Sequence, residues 1–187
     1  MNNKIEHGRI KVVFCSKPED KTKIICQDVV KQLEGKQVPT IIYTTNLDSK
    51  AWTKQFLLTV STTLKDSEES LLRGLAEMPL YIGANKSYDL GLLTWLIIKD
   101  VKEHDVKKIF IESPESLNDS HPENEDYSAG IAAGTILRHL ADSLNIEITL
   151  ISSSSLPGDK EKVLEYPNVY IEPCGISDYV DEIVYAE

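Results

Sequence analysis

Short apolar runs rich in β-branched residues alternate with segments of helical periodicity along almost the whole chain, and that alternation leaves few architectures open. The runs are 10 to 15 (IKVVFC), 39 to 45 (PTIIYTT), 79 to 82 (PLYI), 107 to 112 (KKIFIE), 146 to 152 (IEITLIS), 168 to 172 (NVYIE) and 181 to 186 (DEIVYA). Most are unbroken and not alternating, so both faces of each strand need covering, the condition of a parallel sheet with helices on either side. Between them, Ile25, Val29 and Leu33 share one helical face, and Trp52, Phe56, Val60 and Leu64 share another. The spacing predicts a shorter helix over 67 to 77, capped by Ser67 or Asp66, and a long one over 125 to 144 with Ile136, Leu137, Leu140 and Leu144 inward. The expected class is α/β, a mainly parallel sheet flanked by helices on both faces. With 187 residues, 41% of them hydrophobic, the chain is long enough to bury a core and suits a single domain.

Residues 89 to 101 (DLGLLTWLIIKDV) are apolar on nearly every side of a helix. Two readings follow: a helix enclosed within the domain, or a surface that a protein partner or another copy of the chain covers. The one long polar break, 113 to 126, carries two prolines and reads as a surface excursion.

Thirty acidic against 20 basic residues give a formal charge of −10, which opposes direct binding to nucleic acid or an anionic membrane. Neither an apolar signal core nor a span of membrane length is present in the sequence. Cys15, Cys26 and Cys174 form no CxxC pair and read as buried reduced thiols of a cytoplasmic protein. His7, His104, His121 and His139 lack metal-ligand spacing, and the serines at 152 to 155 form no nucleophile elbow.

After the first apolar run comes Ser16-Lys17-Pro18-Glu19-Asp20-Lys21-Thr22. A phosphate-binding loop ends in glycine, lysine, then serine or threonine: glycine lets backbone amides close around phosphate, lysine supplies charge, and the hydroxyl reaches magnesium. Lys21 and Thr22 preserve that ending. Glu19 and Asp20 place carboxylates and Cβ atoms where bare backbone should approach a polyphosphate. The same seven residues also suit an ordinary strand-turn-helix connection. A later strand, KKIFIE, ends in Glu112, either a solvated strand-end carboxylate or a metal ligand.

In order and spacing these features resemble the carboxyl-terminal motor domain of DnaB-type replicative helicases, a branch of the RecA-like phosphate-loop NTPases. Lys17-Pro18 and Lys21-Thr22 are similar to that family's Arg-Pro-Gly-x-Gly-Lys-Thr loop, shortened and without its glycines. The run from Leu71 to Glu112 resembles the family's path into its magnesium-binding strand. Ile136 to Ile146 is similar to the helix before the sensor strand, TLISSSSL to that strand, and GISDYVDEIVYAE to the family's closing segment. The resemblance implies a RecA-like fold. It assigns Lys17, Lys21, Thr22 and Asn46 to a nucleotide and Thr22 and Glu112 to magnesium, should Mg-ATP be retained.

The departures fall on the chemistry. Asn46 occupies the position of the family's catalytic glutamate and cannot act as a base. Serine, near Ser154, replaces the glutamine that senses the γ-phosphate, and the sequence ends at Glu187 before the segment that carries the arginine finger in the family. The loops that resemble DNA-contacting ones are acidic, with Glu115, Asp119, Glu123, Glu125 and Asp126, or balanced, with Lys160 and Lys162 against Asp159, Glu161 and Glu165. The expectation is a catalytically degenerate helicase-like domain, a pseudo-ATPase with no catalytic residue and no cofactor, acting as a binding or assembly module. The alternatives are an active divergent motor of phage or mobile-element type, or an α/β enzyme of unrelated chemistry with a pocket at the strand ends.

Overall fold

A computed structural model describes residues 8–15, 17, 20–44, 49–64, 68–84, 88–112, 127–152 and 179–186. Six strands form one sheet: β1 (Arg9–Cys15), β2 (Thr40–Thr44), β3 (Leu80–Ala84), β4 (Lys108–Glu112), β5 (Glu147–Ser152) and β6 (Glu182–Ala186). Their spatial order is β3-β2-β4-β5-β1-β6, and every pairing is parallel. The helices between them are α1 (Asp20–Glu34), α2 (Ser49–Leu64), α3 (Glu68–Glu77), α4 (Leu90–His104) and α5 (Tyr127–Leu144). Six of the seven expected strands are thus present within a residue or two of their expected bounds. The run 168 to 172 lies outside the described residues, as do Cys174 and the proposed caps Ser67 and Asp66.

The sheet is buried on both faces because successive side chains of each strand alternate between two apolar layers. Ile41, Ile109, Ile148 and Ile10 stand in register across β2, β4, β5 and β1, and they join Leu93 and Ile97 of α4 and Leu137, Leu140 and Ala141 of α5 in one cluster. On the opposite face Ile42, Phe110 and Ile151 join Ile25, Cys26 and Val29 of α1 and Trp52, Phe56 and Val60 of α2. Thus the expected inward faces of α1 and α5 are seen, and that of α2 at Trp52, Phe56 and Val60, with Leu137 and Leu140 buried and Leu33, Ile136 and Leu144 partly so; the Leu64 side chain lies outside the described residues. This side of the sheet, carrying α1 and α2, is where the functional candidates collect.

Helix α4 differs from an all-round buried helix. Asp89 caps it, its carboxylate accepting from the Leu92 amide at 2.7 Å, and Asp105 closes it in the left-handed conformation with φ 50°. Leu93 and Ile97 are fully buried, yet Leu92 and Trp95 are 36% and 57% exposed. Enclosure within the domain fails because α4 touches the sheet along one stripe and α5 along its flank, leaving its outer face uncovered among the described residues.

Candidate functional site

Strand β1 feeds α1 through a four-residue connection, so Lys21 and Thr22 fall in the first helical turn. Both are buried, at 2% and 4% exposure. Two strands away, Glu112 is the last residue of β4, and parallel register places the carboxyl ends of β1, β2 and β4 along one edge of the sheet. The structure brings Thr22 and Glu112 together: the hydroxyl donates to Glu112 Oε1 at 3.4 Å. Lys17 is exposed in the connection, and Asn46 lies outside the described residues.

Glu112 is not a solvated strand-end carboxylate. It is 4% exposed, and the second oxygen, Oε2, accepts from Thr44 Oγ1 at 2.5 Å and from the Trp52 indole N–H at 3.1 Å. Three donors from α1, β2 and α2 therefore replace the water that burial removed, as a buried carboxylate requires. Trp52 is itself fully buried and stacked on Phe56, ring centroids 5.1 Å apart. Nearby, burial pushes the Cys26 thiol up to about 12, the charge of Glu112 adding to the effect. Trp52 and Thr44 were not among the sequence candidates; Thr44 shares its strand face with Ile42 and Thr40, and nothing in that pattern marks it.

The Asp20 amide donates to the Lys17 carbonyl at 3.1 Å, so an amide that could face an anion at the helix N-terminus is already bonded. The Asp20 carboxylate stands in the same first turn. A magnesium ion takes nearly octahedral oxygen ligands at about 2.0–2.1 Å and keeps much of its water. Thr22 and Glu112 Oε1 are the oxygens that would meet such an ion, while Oε2 is engaged by protein donors and the Asp20 carboxylate stands at the helix entrance.

Other polar groupings lie elsewhere. A cleft of about 250 Å³ between α1 and the sheet is lined by Lys11, Asp28, Lys108 and Glu147 among others. It opens at the opposite end of β4 from Glu112, and three of its charges are paired with one another, Lys108 with Asp28 at 2.7 Å and with Glu147 at 3.3 Å. His104 meets Asp100 and Glu103 on the last turn of α4, with ligand atoms within 4.8 Å of one another, a proximity that histidine spacing alone did not reveal. Cys15 and Cys26 are buried thiols, as expected. Among the described residues no helix is long and apolar enough to cross a membrane.

An all-parallel sheet of this order, with a lysine-threonine pair opening the helix after β1 and a carboxylate ending β4, defines a RecA-like α/β domain. Its fold is that of the ATPase domains of DnaB-type replicative helicases. One solved ATPase domain of this helicase type superposes with a TM-score of 0.70 at 8% identity, over 96% of this chain and 69% of that one. A DnaB-like replicative helicase, studied with its interactions with primase, superposes with a TM-score of 0.71 at 10% identity, over 95% of this chain and 47% of that one. This chain thus spans about half the length of the latter. No protein-family model and no curated protein sequence matches it.

Proposed function

We propose that this chain is a cytoplasmic RecA-like domain of DnaB-helicase type that does not hydrolyse ATP and acts as a binding or assembly module. One observation carries the reading: Asp20 bonds its amide to the Lys17 carbonyl at 3.1 Å while its carboxylate occupies the first turn of α1. Anion capture at a helix N-terminus depends on free amides and positive potential, and here one of those amides is already bonded and a carboxylate stands beside the others. The contacting surface is the outer face of α4, where exposed Leu92 and Trp95 offer apolar area to a protein partner or a second copy. Primase is named for the DnaB-like neighbour; for this chain a protein partner of the replication machinery belongs to the same proposal.

The active-motor reading is favoured by one contact, Thr22 Oγ1 to Glu112 Oε1 at 3.4 Å, which sets a hydroxyl and a carboxylate together as a magnesium site would. Equilibrium titration with a fluorescent ATP analogue and MgCl₂, paired with a phosphate-release assay, separates the two. The expected outcome is no saturable binding and no phosphate. Micromolar binding with steady phosphate release establishes the motor instead.

A further inference from the structure

We propose that Asp100, Glu103 and His104, at the carboxyl-terminal end of α4, form a binding site for a divalent cation of the zinc class. Positions i, i+3 and i+4 share one face of a helix, and here each residue offers one ligand atom, the three lying within 4.8 Å of one another. Two carboxylates alone would make an ordinary solvated helix face. The imidazole changes the chemistry, because a nitrogen donor beside two oxygens suits zinc and its first-row neighbours over magnesium or calcium. Two tyrosines of the sheet hold the ligands in place. The Tyr43 phenol of β2, buried at 1% exposure, donates to Asp100 Oδ2 at 2.6 Å, the kind of outer bond that orients a ligating carboxylate. The Tyr81 ring of β3 stacks on the His104 ring, with centroids 4.3 Å apart and planes 19° from parallel. That contact holds the imidazole by its face, and among the described residues no hydrogen bond engages either of its nitrogens. The competing cation is weakly placed: Lys99 reaches Glu103 Oε2 only at 3.9 Å, in an exposed pair, and lies over the Trp95 ring as well. A positive ion at this end of a helix also meets the negative pole of its dipole. The site lies on the opposite face of the sheet from α1 and the donors to Glu112, so it does not depend on whether nucleotide binds there. A bound ion would clamp the last turn of α4 to β2 and β3 through Tyr43 and Tyr81, and three protein ligands leave room for water to complete the coordination.

The test uses the full chain, ZnCl₂ as the probe, and the variant His104→Ala, which removes an exposed side chain and leaves the core intact. Calorimetric titration is expected to find Zn²⁺ uptake by the wild type that H104A weakens by more than about tenfold, since loss of an outer partner of a ligand already costs that much. Tyr43→Phe keeps all three ligands and deletes only the outer bond to Asp100; it should weaken uptake about tenfold without abolishing it. Excess MgCl₂ should not displace the ion. His139→Ala, on α5, serves as the control and should bind as the wild type does. Because the ion is held by the folded chain, saturating Zn²⁺ should also raise the Tm of the wild type and not that of H104A. Absence of uptake by the wild type, or uptake that H104A retains at full affinity, overturns the site. Displacement by Mg²⁺ also refutes it, because the carboxylates would then be acting without the imidazole, and loss of uptake in H139A alone would put the ion on α5 instead.

Discussion

A carboxylate withdrawn from water needs donors to replace the ones it loses, and Glu112 finds them in residues that sequence distance keeps apart: Thr22 is 90 positions away, Thr44 is 68 and Trp52 is 60. Lys21, Thr22 and Glu112 could be picked out in advance because a motif and a strand end mark them. Trp52 could not. Set four and eight residues before two other apolar side chains, it reads as packing, and nothing in a helical stripe discloses that its one polar atom points at a carboxylate. The contact has a measurable consequence for stability. Replacing Glu112 by alanine strands a buried indole N–H and opens a void, and an unsatisfied buried donor costs roughly 1–3 kcal/mol. Urea unfolding of Glu112→Ala should show a loss on that scale, with Glu112→Gln milder because its amide oxygen can still accept. Equal midpoints for E112A and the wild type would mean that the three donors do not depend on the carboxylate.

At the level of elements, strands were legible because runs such as IKVVFC and ITLI put apolar residues on both faces, whereas strand order was not. Placing β1 between β5 and β6 joins segments more than 130 residues apart, and local pattern carries no record of that pairing. Charged side chains hold one of these distant joints. Asp181, just before β6, accepts from the Ile10 amide and from Arg138 Nη1 of α5, both at 2.7 Å, while Arg138 also bonds Asp142 and the Gly8 carbonyl. Burial alone would raise the Asp181 carboxyl, but the Ile10 amide and the Arg138 guanidinium outweigh it and hold the group below its ordinary value. A carboxyl depressed in the folded state contributes stability that is complete above its unfolded pKa, about 3.9, and disappears as pH falls through the lower folded value. Denaturant midpoints measured downward from pH 6 should therefore drop more steeply below about pH 4 in the wild type than in Asp181→Asn. Because the carboxylate is 42% exposed, solvent screening keeps the difference small, and parallel curves for the two proteins would exclude Asp181 as a contributor. Helix α4 teaches the complementary lesson. Its composition suggested enclosure, but whether an apolar helix is covered depends on how many neighbours reach it, which composition does not state.

The whole molecule sets fold against surface. Its architecture is shared with helicase ATPase domains at TM-scores of 0.70 and 0.71, yet at 8% and 10% identity little beyond the core-forming pattern is held in common, and fold by itself does not fix activity. What a motor needs beyond the fold is a positive path for the nucleic-acid backbone, since phosphate contacts and counterion release supply most of the affinity. This chain carries 30 acidic and 20 basic residues, and several of its cations are already engaged: Lys108 with Asp28 and Glu147, Arg138 with Asp142 and Asp181, Lys107 with Asp105. A duplex or single strand approaching such a surface meets net repulsion at long range, and lowering the salt lengthens the reach of that repulsion. Fluorescence anisotropy with a labelled oligonucleotide should accordingly detect no binding at physiological ionic strength and none on dilution of the salt. Affinity that rises as salt falls would mean that a local basic surface outweighs the net charge, and would favour the active-motor reading.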